Sequence, residues 1–190
     1  MESCVETQEK KKPKGAAKLG LRLPEEFLEV CEDSFIATNE KESKASIVKF
    51  IDTGLVALVC RHDRPLWVVN MRTPGEEQHF AYALIKALFD NLPLDWNVGL
   101  LYDIACQIER SMIMHSILAE YYPRILFAVS VFHAFGHQWP CQLLYHPRKT
   151  VGYGLSNGEG CEHFWSSLKC LIPSLRISGV CSIPDVHSIG

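Results

Sequence analysis

NVGLLYDIACQIERSMIMHSILAEYYPRILFAVSVF, Asn97 to Phe132, reads as strand, helix, strand. NVGLLYD is a short apolar run that ends on an acid. Ala105 to about Tyr121 has the character of a helix, and RILFAVSVF is again rich in β-branched and aromatic residues. Apolar strands alternating with helices imply parallel strands covered on both faces. Aspartate is depleted from strands and costly to bury alone, so Asp103 either caps the helix that follows or waits for a cation.

Upstream, a helix-like stretch EEFLEV precedes SFIAT, IVKFIDTGLVALVC and PLWVVNM, three β-prone segments separated by polar or proline breaks. They predict a three-strand antiparallel meander. Phe80, Leu84, Ala87 and Leu88 then recur at helical spacing, and that helix stops before Asn91 and Pro93. Downstream of Phe132, a linker with Gly and Pro leads to a last helix from about Gly158 to Leu171, stopped by Pro173. The summed order predicts an α/β fold: an antiparallel meander merged into parallel strands, with flanking helices, in the ribonuclease H-like order.

Composition bounds the function. The 190 residues fit one ordinary domain, and 47% hydrophobic content is enough for a core. A formal charge of −3 advertises neither nucleic acid nor an anionic membrane globally, so such a partner must be met by a local patch. No apolar stretch approaches the roughly 20 residues of a membrane span, and the charged N-terminus is unlike a signal peptide, which predicts a nuclear or cytoplasmic protein without membrane contact. The 8 cysteines lack the spacing of a secreted disulfide scaffold and are expected as core residues or metal ligands, not disulfides. Residues 1–24 read as a basic disordered tail, whose lysines Lys10 to Lys14 suit solvation or a weak nuclear-import or DNA contact. Residues 25–175 form the expected core, and 176–190 an irregular tail.

The acids sit at telling places. Asp33 lies at the start of the first strand, Asp103 ends the fourth, and Glu159 and Glu162 open the last helix. If the first and fourth strands are neighbours, Asp33 and Asp103 face each other and the last helix brings a glutamate over them. Such carboxylates repel unless divalent cations neutralise them, and a pair of Mg²⁺ or Mn²⁺ ions serves in-line displacement at phosphorus. Ser156 and Glu159 also fit a capping box, which would engage Glu159 with backbone N–H groups and favours Glu162 as the ligand. Asp52, near Gly54, is a rival for Asp33 that better suits a bend. A second, softer set comprises Cys60, His62, His133, His137 and Cys141, donors suited to Zn²⁺, though neither C-x-H nor H-x-x-x-C is a finger spacing.

The strings DTGLVALVCRHDRPLWVVNMRTPGEEQHFA, GLLYDIACQIERS, FAVSVFHAFGHQWPCQLLYHPRK and GYGLSNGEGCEHFWSSLKCLIPSLR resemble the catalytic core of fungal KDZ (Kyakuja-Dileera-Zisupton) transposases from about Val30 to Gly179. The resemblance implies a ribonuclease H-like transposase with an Asp, Asp, Glu triad on Asp33, Asp103 and either Glu159 or Glu162. It also implies a structural zinc element among Cys60, His62, His133, His137 and Cys141. Implied partners are transposon and target DNA, contacted by Arg61, Arg64, Arg72, Arg148 and Lys149, and a second copy or a full-length transposase. Asn157 and His163 depart from the family's usual Asp and Arg, and family members are much longer. A catalytically dead or domesticated remnant, acting as a zinc-stapled DNA- or protein-binding module, is therefore the competing expectation.

Overall fold

The computed structural model describes residues 20–32, 54–71 and 77–177. Asp33, Asp52, Arg72, the SFIAT segment, the lysine run and the C-terminal tail lie outside them. Helix α1 covers 25–32, as EEFLEV suggests. Strands β1 (Gly54–Val59) and β2 (Pro65–Met71) pair antiparallel as a hairpin, with Val56 opposite Val69. Helix α2 (Gln78–Asp90) lays Phe80 and Leu84 on the hairpin's Val56, Trp67 and Val69. Its opposite neighbours on the helix, Ala81, Ile85 and Phe89, enter the main core, so a wide apolar face joins two clusters.

Strands β3 (Val98–Leu101) and β4 (Ile125–Ala128) pair in parallel, Val98 to Ile125 through Leu101 to Ala128. Helix α3 (Ala105–His115) makes the crossover, buried all round its first turn from Ala105 to Glu109 and again at Met112. The protein is thus a mixed α/β structure with one antiparallel and one parallel sheet. Among the described residues these are two separate two-stranded sheets, not one merged sheet.

Three expected boundaries shift. Helix α3 stops at His115 instead of running to about Tyr121, because Ser116 and Leu118 adopt left-handed backbone angles. The turn so formed stacks Tyr121 on Phe89, ring centroids 5.1 Å apart, and sends its hydroxyl to Asp90 at 2.8 Å; tertiary packing overrides helical propensity. The expected strand through Phe132 ends at Ala128, and the chain turns at Ser130 into helix α4 (Val131–Ala134), whose first N–H donates to the Asn157 carbonyl. Helix α5 (Trp139–Leu144) follows within the expected linker. The last helix, α6 (Gly160–Leu168), ends before a 3₁₀ turn, and Pro173 lies in the first turn of a further helix, α7 (Ile172–Ile177). A proline there forfeits no helical hydrogen bond.

The chain is anchored ahead of α1. Leu23 is buried and Arg22 pairs with the buried Glu109 of α3 at 3.0 Å, although both residues fall in the segment read from sequence as a tail. Glu109 also accepts from Tyr145 Oη at 2.5 Å, and the Arg22 guanidinium lies over the Tyr145 ring. Arg110 adds a bond to Glu32 at 2.8 Å, and Gln107 donates to the Leu28 carbonyl at 2.6 Å. These contacts fix α1 against α3 and so decide what Cys31 meets.

Candidate metal centres

Cys31 of α1, Cys106 of α3, His137 before α5 and Cys141 of α5 are all buried, and their ligand atoms all lie within 4.8 Å of one another. Cys31 Sγ is 4.0 Å from Cys106 Sγ and 3.2 Å from His137 Nδ1, while Cys106 Sγ is 3.5 Å from the same nitrogen. A tetrahedron with Zn–S of about 2.3 Å and Zn–N of about 2.0–2.1 Å has edges of about 3.8 and 3.6 Å. The donor set, its burial and its spacing fit a structural zinc site. His137 is held in the required tautomer: Nε2 is 2.7 Å from the Asp103 carbonyl oxygen, which can only accept, so Nε2 carries the hydrogen and Nδ1 offers its lone pair.

The three thiols are pushed in opposite directions. Hydrogen bonds from Cys106 and Cys141 hold the Cys31 thiol far below its ordinary value despite burial. Those to Cys141 and Cys31, together with burial, push Cys106 far up. At Cys141 the bond from Cys106 lowers the value, but the bond to Cys31, burial and the Cys31 charge outweigh it, and the thiol is pushed up to about 12. Zinc binds thiolates, so a divalent ion here would displace the protons that the raised Cys106 and Cys141 thiols hold.

Of the five soft candidates from sequence, His137 and Cys141 stand in this cluster. Cys60 and His62 sit together, 3.9 Å apart, in the exposed turn of the hairpin, away from it. His133 stands elsewhere, its Nε2 3.6 Å from Asp103 Oδ1 and 3.7 Å from Glu162 Oε1. Cys31 and Cys106 escaped sequence reasoning because each is a lone cysteine in its segment. The available signal was their neighbourhood, Cys31 two residues before Asp33 and Cys106 three after Asp103.

The acidic group is looser and open. Asp103 and Glu162 are about half exposed, at 51% and 57%, and flank His133 beyond hydrogen-bond reach. Asp103 follows the C-terminal end of β3 and His133 that of β4, the edge where parallel sheets place their sites. The N-cap position of α3 falls on Ile104, one residue past Asp103. Glu159 is engaged with backbone, as a capping box would have it, but with the Phe132 N–H of α4 rather than its own helix. Glu162 comes over Asp103 and His133 because Gly158, at φ +82°, lets the chain pass where a Cβ would lie 2.8 Å from Ser130 Cβ. A Cβ on Gly160 would likewise lie 2.8 Å from Oδ1 of Asp63, whose Oδ2 is 2.9 Å from His163 Nδ1 and ties α6 to the hairpin turn.

The sequence model of the Kyakuja-Dileera-Zisupton transposase family matches residues 2–186. The chain belongs to that family. No curated protein and no solved structure matches it. Membership places this KDZ chain among transposases, with DNA as the partner class. Its Arg61, Arg64, Arg148 and Lys149 are exposed, and Lys149 Nζ lies 5.8 Å over the exposed Trp139 ring. No helix among the described residues is long and apolar enough to cross a membrane.

Proposed function

We propose that the chain is the metal-dependent core of a DNA transposase, ribonuclease H-like in plan, which cuts and rejoins DNA strands. The observation that carries this reading is the approach of Asp103 and Glu162, from distant segments, to either side of His133. Asp103 and Glu162 would hold Mg²⁺ or Mn²⁺, with Asp33 as the third carboxylate and Glu159 as a brace for α4. When bound, such ions activate the attacking oxygen and stabilise the leaving one. The chain's own contribution is to bring oxygen donors from distant segments together around His133. His133 adds a nitrogen donor, which suits Mn²⁺ better than Mg²⁺. Arg61, Arg64, Arg72, Arg148 and Lys149 would contact phosphates, and Cys31, Cys106, His137 and Cys141 would hold zinc.

A second reading, a zinc-stapled binding module without catalysis, draws on the two departures from the family pattern. Asn157 Oδ1 accepts from the Glu159 N–H, and His163 pairs with Asp63, so both positions serve internal structure. Mn²⁺ titration calorimetry on the zinc-loaded protein, wild type beside Asp103→Asn, separates the two. Binding that the substitution abolishes, followed by Mn²⁺-dependent nicking of DNA, supports the transposase core. Equal binding, or none, in two folded proteins supports the binding module.

A further inference from the structure

The two clusters draw their residues from the same segments. The turn from β3 into α3 gives Asp103 to the acidic group and Cys106 to the buried one. The segment from α4 to α5 gives His133 to the first, and His137 and Cys141 to the second. In sequence Asp33 follows Cys31 by a single intervening residue. One bond spans the clusters directly: His137 directs Nδ1 at the sulfurs and donates Nε2–H to the Asp103 carbonyl at 2.7 Å.

We propose that His137 is a positioning residue through which zinc loading fixes the Asp103 backbone, so that the buried site sets the geometry of the acidic one. A metal on Nδ1 makes Nε2–H a stronger donor and stops the ring from rotating. The Asp103 carbonyl, at the hinge between β3 and α3, is then held by His137 while its carboxylate stays beside His133. The consequence for divalent ions rests on the proposed acidic site; the pinning of the backbone does not.

His137→Cys tests this, because four thiolates still bind zinc while the donor to Asp103 is lost. The expected result is one zinc per chain, amide exchange across residues 102–107 faster by tenfold or more, and Mn²⁺ affinity lowered by a similar factor. Cys170→Ser, at an exposed cysteine outside both clusters, should leave that exchange within about twofold of wild type. Unchanged exchange in a zinc-loaded His137→Cys protein overturns the proposal. Should that variant not fold, ¹H–¹⁵N correlation of the imidazole in the zinc-loaded wild type decides: metal on Nδ1 with a slowly exchanging Nε2–H upholds the pin, and metal on Nε2 overturns it. A wild type that shows the pin but binds no Mn²⁺ overturns the acidic site alone.

Discussion

The Glu159 carboxylate accepts the Phe132 N–H at 3.0 Å, a donor in the first turn of α4 that has no partner within its own helix. Glu162, one turn further along α6, instead faces His133. The two glutamates should therefore separate cleanly. Glu159→Ala is expected to cost about 1 kcal/mol of stability and to leave Mn²⁺ binding measurable. Glu162→Gln should leave the melt within about 0.5 kcal/mol of wild type and reduce Mn²⁺ affinity at least tenfold. Thermal denaturation beside calorimetric titration of each variant checks both.

Zinc uptake should release protons. With Cys31 as the lone thiolate and the Cys106 and Cys141 thiols raised, binding near pH 7 is expected to expel about two protons. The raised thiols stay protonated throughout the neutral range, so each unit of falling pH strengthens proton competition and weakens zinc. Zinc titrations in two buffers of different ionisation enthalpy measure the number released, and a value near zero would refute this charge distribution. Chelation should abolish the cooperative melt, because three segments lose their common link.

Arg22 and Glu109 form the polar centre of the main core, Glu109 being only 4% exposed. Removing one member leaves the other's charge or hydrogen bonds uncompensated. Arg22→Met is expected to destabilise by about 3 kcal/mol, and Tyr145→Phe, which removes one bond to the carboxylate, by about 1.5 kcal/mol. Urea denaturation measures both. A near-neutral Arg22→Met would mean that residues ahead of α1 add little to the fold.

The elements legible in the sequence are those whose apolar pattern is long and whose partners are local: α2 from Phe80 and Leu84, β3 and β4 as a parallel pair, and the β1–β2 hairpin. Boundaries failed where tertiary contacts decided them, as at Tyr121, which leaves the α3 pattern to stack on Phe89. Asp103 stands out in the sequence because an acid ending an apolar strand is unusual, but its approach with Glu162 to His133 comes from the packing of α6, which no spacing encodes. The zinc set was half visible. His137 and Cys141 share a segment, whereas Cys31 and Cys106 join them only through the packing of α1 on α3, and no spacing rule encodes a contact between helices. Asp33 and the expected first strand of the meander, SFIAT, lie outside the described residues.

Gly158 supplies the sharpest test of how α6 is aimed. Its φ of +82° is a region that L side chains rarely adopt, and an added Cβ would meet Ser130 Cβ at 2.8 Å and both Leu101 Cβ and Ser130 Cα at 3.1 Å. None of these is the end of a flexible side chain, so the backbone between β4 and α6 must move. Gly154 has φ +57° with nothing within 4 Å of an added Cβ. Gly154→Ala should therefore show the conformational penalty alone, about 1 kcal/mol. Gly158→Ala should add the steric cost and reach about 2–4 kcal/mol. Because the displaced backbone leads directly into Glu162, Gly158→Ala should also weaken Mn²⁺ binding under conditions where the protein is still folded, and Gly154→Ala should not. Equal losses of stability in the two variants would show that the approach to Ser130 relaxes freely, and that the position of Glu162 does not depend on it.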